Sequence, residues 1–435
     1  MKVIVLAGGE GKRMWPIVTE KCLIPFLGKP LIYYTLSKLK DSINFDEIII
    51  VAKSSSQEEI SNIALSLGLK FKIAIQNNSK GMADAIISAK HFIKDEILIV
   101  NAEDVLEEKI YQDVVTLASE STSDVVLPGL KVDKYFPGGY LKIEGEKVTE
   151  IVEKPGEGNE PSDMVKLVVD YFKDGQTLVN LLENVQTEND DVYEVALSKL
   201  IEDGADVKFS KYDGVWIPLK YPWHILDITG YFLGSIEQQI SPEAKVSDKA
   251  DISGKVVIEE GAKIFEGAVI KGSCYIGKNV IVGNNSMVRE SNLEAGCVTG
   301  FNSDITRSYI GANSWFHTNY IGDSVLEGDF GMGSGAVLAN LRLDDHTIRI
   351  APPAGGEKLD TGRTKLGTIA GKGSRVGVNA SIMPGVRVGA NSLVGPGVTL
   401  YKDVEDNKKV LVKQEHEITE HTPVLTSYEK FRDKI

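Results

Sequence analysis

Hydrophobic positions along this chain follow two different rhythms. Over residues 1–228, short continuous apolar runs such as Val3-Ile4-Val5, Ile48-Ile49-Ile50-Val51 and Ile97-Leu98-Ile99-Val100 read as strands buried on both faces. Between them, 57–67 and 82–92 carry the spacing of amphipathic helices. Strands alternating with helices predict a parallel sheet with right-handed crossovers, a Rossmann-like α/β domain. Ligands of such sheets bind beyond the carboxyl ends of the strands. The glycines after Val5 and the acid Asp104 after Val100 both fall there.

The second half keeps another period. Ile240, Val246, Ile252, Ile258, Ile264, Ile270, Ile276, Val282 and Val288 recur every six residues. The period returns at Val376, Ile382, Val388, Val394 and Leu400. Two positions before most of these stands a small residue, such as Ala244, Ala250, Ala262, Ala268, Cys274 or Ser286. Neither a helix nor an alternating strand has this repeat. It predicts a solenoid of three short strands per coil, about eighteen residues a turn, with branched residues inside and small ones at the corners. The period slips over 289–340 and is lost over 341–366, which predicts a protruding loop. The apolar stretch 223–236 predicts a helix joining the halves. The resulting division is 1–228 for the α/β domain, 229–240 for the connecting helix, 241–404 for the solenoid and 405–435 for a charged tail. A short helix near Tyr428-Glu429-Lys430-Phe431 would cap the solenoid or reach a neighbouring subunit.

Length fits this division, since 435 residues exceed one ordinary core. The net charge of −14 argues against nonspecific nucleic-acid or anionic-membrane binding. An acidic chain that handles phosphates has to gather its cations locally. Cys22, Cys274 and Cys297 are odd in number and far apart, which fits a reducing, cytoplasmic location rather than a disulfide framework. The N-terminal apolar run is too short for a signal peptide, and no stretch is long enough to span a bilayer.

The first strand opens into Leu6-Ala7-Gly8-Gly9-Glu10-Gly11-Lys12-Arg13-Met14-Trp15-Pro16, and Lys21-Cys22-Leu23-Ile24-Pro25 follows. Glycines let backbone N–H groups approach a ligand closely. Arg13 adds a planar, permanent charge for phosphate oxygens, and Lys21 a second cation. This string resembles the signature of sugar-1-phosphate nucleotidylyltransferases. The resemblance implies attack of a sugar phosphate on the α-phosphorus of UTP or dTTP, helped by Mg²⁺. It assigns Leu6, Ala7, Gly8, Gly9, Gly11 and Arg13 to the nucleotide, and Lys21 to the bridge between the reacting phosphates. Gln76 and Gly81, within Gly81-Met82-Ala83-Asp84-Ala85, match the segment that reads the base. Asp104 matches the Mg²⁺ carboxylate. Gly139, Glu153 and Lys154 match the contacts to the sugar and its phosphate.

Three positions depart from that pattern. Glu103 stands where the family has glycine. Leu167-Val168-Val169-Asp170-Tyr171 replaces the usual Asn-x-Gly-x-Tyr. Pro218, two residues after Trp216, replaces the second metal carboxylate. Losing one of two carboxylates would cost on the order of 100-fold in rate, unless Glu103 or Asp227 compensates.

The repeats resemble the left-handed parallel β-helix of hexapeptide-repeat transferases. Phe316-His317-Thr318-Asn319-Tyr320 is similar to the acetyltransferase segment of bifunctional N-acetylglucosamine-1-phosphate uridylyltransferases. The resemblance implies that His317 is a general base for a sugar amine attacking acetyl-CoA, a task that suits imidazole. It also implies that Arg289 and Lys365 hold phosphate, and that Tyr320 and Asn340 contact the sugar. Thr306 replaces a lysine and Gly331 an asparagine of that family. The expected assembly, carried over from the same resemblance, is a homotrimer or a multiple of it. Three readings stay open: a nucleotidylyltransferase with or without acetyl transfer, an acyltransferase with only the β-helix active, and a non-catalytic sugar-nucleotide-binding subunit.

Overall fold

The computed structural model describes residues 1–78, 80–187, 191–352 and 355–422. A ten-stranded sheet organises the first half. Phe71–Ile75, Ile48–Ala52, Lys2–Leu6 and Ile97–Asn101 lie side by side and parallel, and all of Ile48–Ala52 is buried. Helices cover both faces and close two apolar cores.

Beyond Ile97–Asn101 the expected all-parallel sheet gives way to a mixed one. Val169–Phe172 runs antiparallel to both neighbours, Ile97–Asn101 and Val125–Lys131. No helix lies between Val125–Lys131 and this strand, and a parallel return needs a crossover. The chain instead makes the hairpin Gly139–Glu144 with Lys147–Glu153 and comes back antiparallel.

The connecting helix spans His224–Ser235, within the stretch 223–236 that predicts it and earlier than the division at 229–240. From Gln239 onward the chain is already paired into the solenoid, Gln239 with Val257, which leaves no room for helix there. The second half is a three-faced parallel β-helix. Its first coils repeat every eighteen residues, as in Lys245 with Lys263 and Ile252 with Ile270. Branched side chains point inward into one continuous core. Corner asparagines such as Asn279, Asn285 and Asn391 adopt positive φ. Shorter coils follow Val288: Met287 pairs with Asp304, and Asp304 with Tyr320. The excursion 341–366 then separates Val325 from its partner Ile369. Rather than a plain loop, it holds the hairpin of Arg349–Ile350 with Leu359–Asp360. The β-helix runs past 404, since Lys409–Val410 pairs with Leu393–Val394. The expected helix near 428–431 lies outside the described residues.

One face of the solenoid is covered by the α/β domain. Its outward residues Asn292, Tyr309, Val325 and Ile369 are buried. Met14, Ile17 and Phe26 meet Tyr309, Val325 and Ile369 in an apolar cluster that also takes in Trp223, Phe232, Ile348 and Ile350. Glu327 accepts hydrogen bonds from the backbone N–H of Val18 (2.9 Å) and Thr19 (2.6 Å). The side chains of Asn292 and Glu294 accept from the N–H of Leu27 and Gly28, and the Trp15 indole donates to Asp406 at 3.1 Å. The segment that follows the glycine loop is therefore clamped to the β-helix.

Candidate functional site

The first strand ends at Leu6, and the glycine loop opens a cleft of about 410 Å³. Leu6, Gly8, Gly9, Gly11, Arg13, Lys21, Gln76 and Gly81 all line it. Ala7 does not: it is buried beneath, its N–H bound to the Val51 carbonyl at 2.8 Å. Gly11 takes φ 65° and leads into the short turn Lys12–Met14, a conformation glycine adopts freely. A Cβ on Gly8 would collide with the Gln76 side-chain oxygen. Gln76 is 5% exposed, and its amide nitrogen donates to Asp84 at 2.9 Å. That bond fixes which end of the amide faces the loop.

Lys21 sits on the turn Lys21–Leu23, with its ammonium against the Glu103 carboxylate. Burial pushes its pKa down to about 8, against the pull of Asp104. Glu103 therefore occupies the space that glycine would leave open and holds Lys21 in place.

A second cleft, about 230 Å³, adjoins the first. Asp104, Gly139, Glu153, Lys166, Glu194, Trp216 and Pro218 line it. Burial pushes the Asp104 carboxyl above its ordinary value, opposed by the Trp216 indole and the Lys21 ammonium. Pro218 stands directly opposite Asp104 in the antiparallel pair of Trp216–Pro218 with Asp104–Leu106. Its carbonyl is 2.6 Å from Nδ1 of His224, the first residue of the connecting helix. Lys154 has φ 45° and pairs with Glu153 at 2.6 Å, at the edge of the cleft. Asp170 is fully buried, bound by Lys166 (2.5 Å) and by the Tyr193 hydroxyl (2.6 Å). It anchors Lys166 beneath the cleft instead of facing a sugar.

Mg²⁺ takes hard oxygen ligands and keeps waters, so one or two carboxylates plus substrate phosphates suffice. Asp104 offers one such carboxylate at the junction of the clefts, Glu103 is engaged by Lys21, and Pro218 has no side-chain donor. This donor set fits a single ion that arrives with phosphates.

Several lining residues carry no local motif. Glu194 is pushed up to about 7 by burial and then by Glu153. Lys166 comes from the strand Met164–Lys166 and Lys220 from the segment after Pro218. The only sequence signal for Lys220 is its spacing of two from the proline.

On the solenoid, His317 is exposed at a coil corner, its ring 5.6 Å from that of Trp315. A Cβ on Gly331 would lie 2.5 Å from the Trp315 indole, so glycine there is what lets the indole lie flat. The Arg375 guanidinium covers the same indole at 5.8 Å. The Tyr320 hydroxyl and the Asn340 side-chain oxygen are 3.3 Å apart. Asp304, opposite Tyr320 in the register, holds Arg289 through two contacts of 3.0 and 3.1 Å. Thr306 is buried, and its neighbour Arg307 pairs with Asp323 at 2.7 Å. Lys365 stands apart and exposed, its backbone bridged to Leu341. A cleft of about 620 Å³ lies under the excursion, between Leu341, Arg342 and Ile350 on one side and Met383, Tyr401 and Lys402 on the other.

Residues 2–217 match the nucleotidyl transferase family, and residues 255–290 match the bacterial transferase hexapeptide repeat. The chain is 30% identical to the "Bifunctional protein GlmU" of Methanococcus maripaludis strain C7 over 96% of its own length and 99% of the relative's. It belongs to this bifunctional family. The "Bifunctional sugar-1-phosphate nucleotidylyltransferase/acetyltransferase" of Sulfurisphaera tokodaii is likewise 30% identical, over 89% of this chain and 94% of that one. A "Low-salt glycan biosynthesis nucleotidyltransferase Agl11" of Haloferax volcanii is 27% identical over 52% of this chain and 64% of that relative. Family membership accounts for both halves together, a nucleotidyltransferase domain followed by a hexapeptide solenoid. No helix among the described residues is long and apolar enough to cross a membrane.

Proposed function

We propose that the chain transfers a nucleotidyl group from UTP or dTTP to a hexose 1-phosphate, releasing pyrophosphate. The observation that carries this reading is the pair of adjoining clefts: one lined by the glycine loop, Arg13 and Gln76, the other by Gly139 and Glu153. The loop amides and Arg13 hold the triphosphate, and Gln76 with Gly81 reads the base edge. Gly139 and Glu153 hold the sugar, with Lys154 at the edge for its phosphate. When bound, Mg²⁺ at Asp104 neutralises phosphate charge and aligns the oxygens. Lys21 leaves Glu103 for the phosphates that meet beside it. Little covalent help is needed, because alignment and charge neutralisation dominate such transfers.

The second half supports acetyl transfer to an aminosugar phosphate, favoured by the exposed His317 at a coil corner and by Tyr320 meeting Asn340 at 3.3 Å. As the amine nitrogen bonds to the acetyl carbonyl carbon of acetyl-CoA, His317 accepts the amine proton, the carbon–sulfur bond breaks and CoA leaves as the thiolate. The cleft under the excursion begins beside Asn340 and suits the donor. The two solenoid faces not covered by the α/β domain suit a homotrimer. Three buried, unpaired cysteines agree with a reducing cytoplasm.

Pyrophosphate release over a panel of nucleotides and hexose 1-phosphates tests the first activity. Release of CoA with aminosugar phosphates tests the second. CoA release without pyrophosphate release would leave an acyltransferase, and binding of sugar nucleotides without either product would leave a regulatory subunit.

A further inference from the structure

Five residues line both clefts of the α/β domain: Lys21, Asn101, Glu103, Val168 and Lys220. Two of the five are cations. Lys21 is already bound to Glu103. Lys220 has no carboxylate within ion-pair reach among the described residues. Its ammonium donates to the Pro137 carbonyl at 2.5 Å and lies 4.3 Å from the centre of the Phe136 ring. Burial, and then the charges of Arg13 and Lys154, push its pKa down to about 8. Glu153 and Asp104 pull the other way from beyond ion-pair reach, so a half-buried ammonium whose direct partners are one neutral acceptor and an aromatic face is a poorly compensated charge. An anion at the shared wall would supply the missing partner. A nucleotide in the larger cleft and a sugar phosphate in the smaller one bring their phosphates to that wall.

We propose that Lys220 is a catalytic residue that binds the phosphate of the sugar 1-phosphate at the junction of the two clefts. This rests on the nucleotidyl-transfer reading above. One of its three N–H donors is held by Pro137, which leaves two for phosphate oxygens. The Phe136 ring fixes the ammonium without neutralising it. During transfer a sugar-phosphate oxygen bonds to the α-phosphorus, the bond from that phosphorus to the β-phosphate oxygen breaks, and pyrophosphate leaves with the electron pair. Lys220 keeps its proton throughout and offsets the negative charge gathered between the two phosphates. It thus adds positive charge on the side of the site where Pro218 offers no metal ligand.

The test uses the full-length protein with MgUTP and MgdTTP, and with glucose 1-phosphate and N-acetylglucosamine 1-phosphate. The free sugars serve as uncharged controls. Lys220→Met should lower kcat/KM for the sugar phosphate roughly 10²-fold, and Lys220→Arg should recover most of it. Weak binding of the free sugars should not change. In the wild type, acylation of Lys220 by an amine-reactive ester, followed by mass spectrometry, should be slowed by the sugar phosphate and not by the free sugar. Wild-type turnover with Lys220→Met within twofold of it would overturn the assignment and leave the nucleotidyl-transfer reading intact. A wild type that binds neither nucleotide nor sugar phosphate would overturn both. If the Met variant does not fold, the labelling decides: unprotected Lys220 in an active wild type overturns the assignment.

Discussion

Gly8 and Gln76 show how closely the glycine-loop cleft is built. The Gln76 amide is aimed by Asp84, and its oxygen occupies the space a Gly8 side chain would need. Gly8→Ala should swing Gln76 away and weaken nucleotide binding by about tenfold, the loss of one or two positioned hydrogen bonds. Calorimetry with MgUTP and MgdTTP measures this, and an unchanged melting temperature would place the effect in the cleft. At the other site, His317→Ala should reduce acetyl transfer roughly 10²–10⁴-fold, the usual worth of a general base. Nucleotidyl transfer should stay unchanged, because His317 lies on a solenoid corner in the other domain. A double assay of pyrophosphate and CoA release on the same sample reads both.

Among the elements, the short strand Trp216–Pro218 governs the metal question. Its register puts residue 218 across from Asp104, so Pro218→Asp would bring a second carboxylate to the junction. The variant should bind Mn²⁺ more tightly and reach half-maximal rate at roughly tenfold lower Mg²⁺. Electron paramagnetic resonance of bound Mn²⁺ and a Mg²⁺ titration of the rate check it, and unaltered metal affinity would count against Asp104 as ligand. Local pattern reveals some elements and hides others. The continuous apolar runs announce the parallel strands, and the six-residue repeat announces the coils and even the length of the excursion. Val169–Phe172 looks the same from its sequence whichever way it runs, because burial on both faces erases alternation. Its direction is decided by the hairpin before it. The glycine loop and its neighbours were legible because the chemistry is gathered in one string. Lys220, Glu194 and Lys166 reach the site from distant segments, each as a single charged residue of a common type, so no motif marks them. The meaning of Gly331 likewise needs Trp315 folded over it.

For the whole molecule, the joint between the domains is the sensitive part. Glu294 lies within it, 3% exposed, accepting from the Gly28 N–H at 3.3 Å. Burial pushes its carboxyl from 4.5 up to about 6, against the pull of Asn292 and Gly28. A carboxyl with a raised folded pKa binds more protons folded than unfolded across that window. Its contribution is therefore present below about pH 4.5 and lost as pH rises to about 6, on the order of 2 kcal/mol. Glu294→Gln should remove this pH dependence, so that the wild type loses stability relative to the variant as pH rises over that range. Denaturant melts at several pH values read this out. Light scattering tests the expected trimer, and a monomer at micromolar concentration would remove it.

The clamp of Glu327 on Val18 and Thr19 also has a consequence in time. A ribosome builds Val18 long before Glu327, and at roughly 5–20 residues per second the delay is about 15–60 s. Through that interval the segment carrying Lys21 and Phe26 has neither its acceptors on the solenoid nor the apolar face of Tyr309, Val325 and Ile369 to rest on. The nascent first half emerges with the apolar patch of Met14, Ile17 and Phe26 uncovered, until the coils around Glu327 and Ile369 close over it.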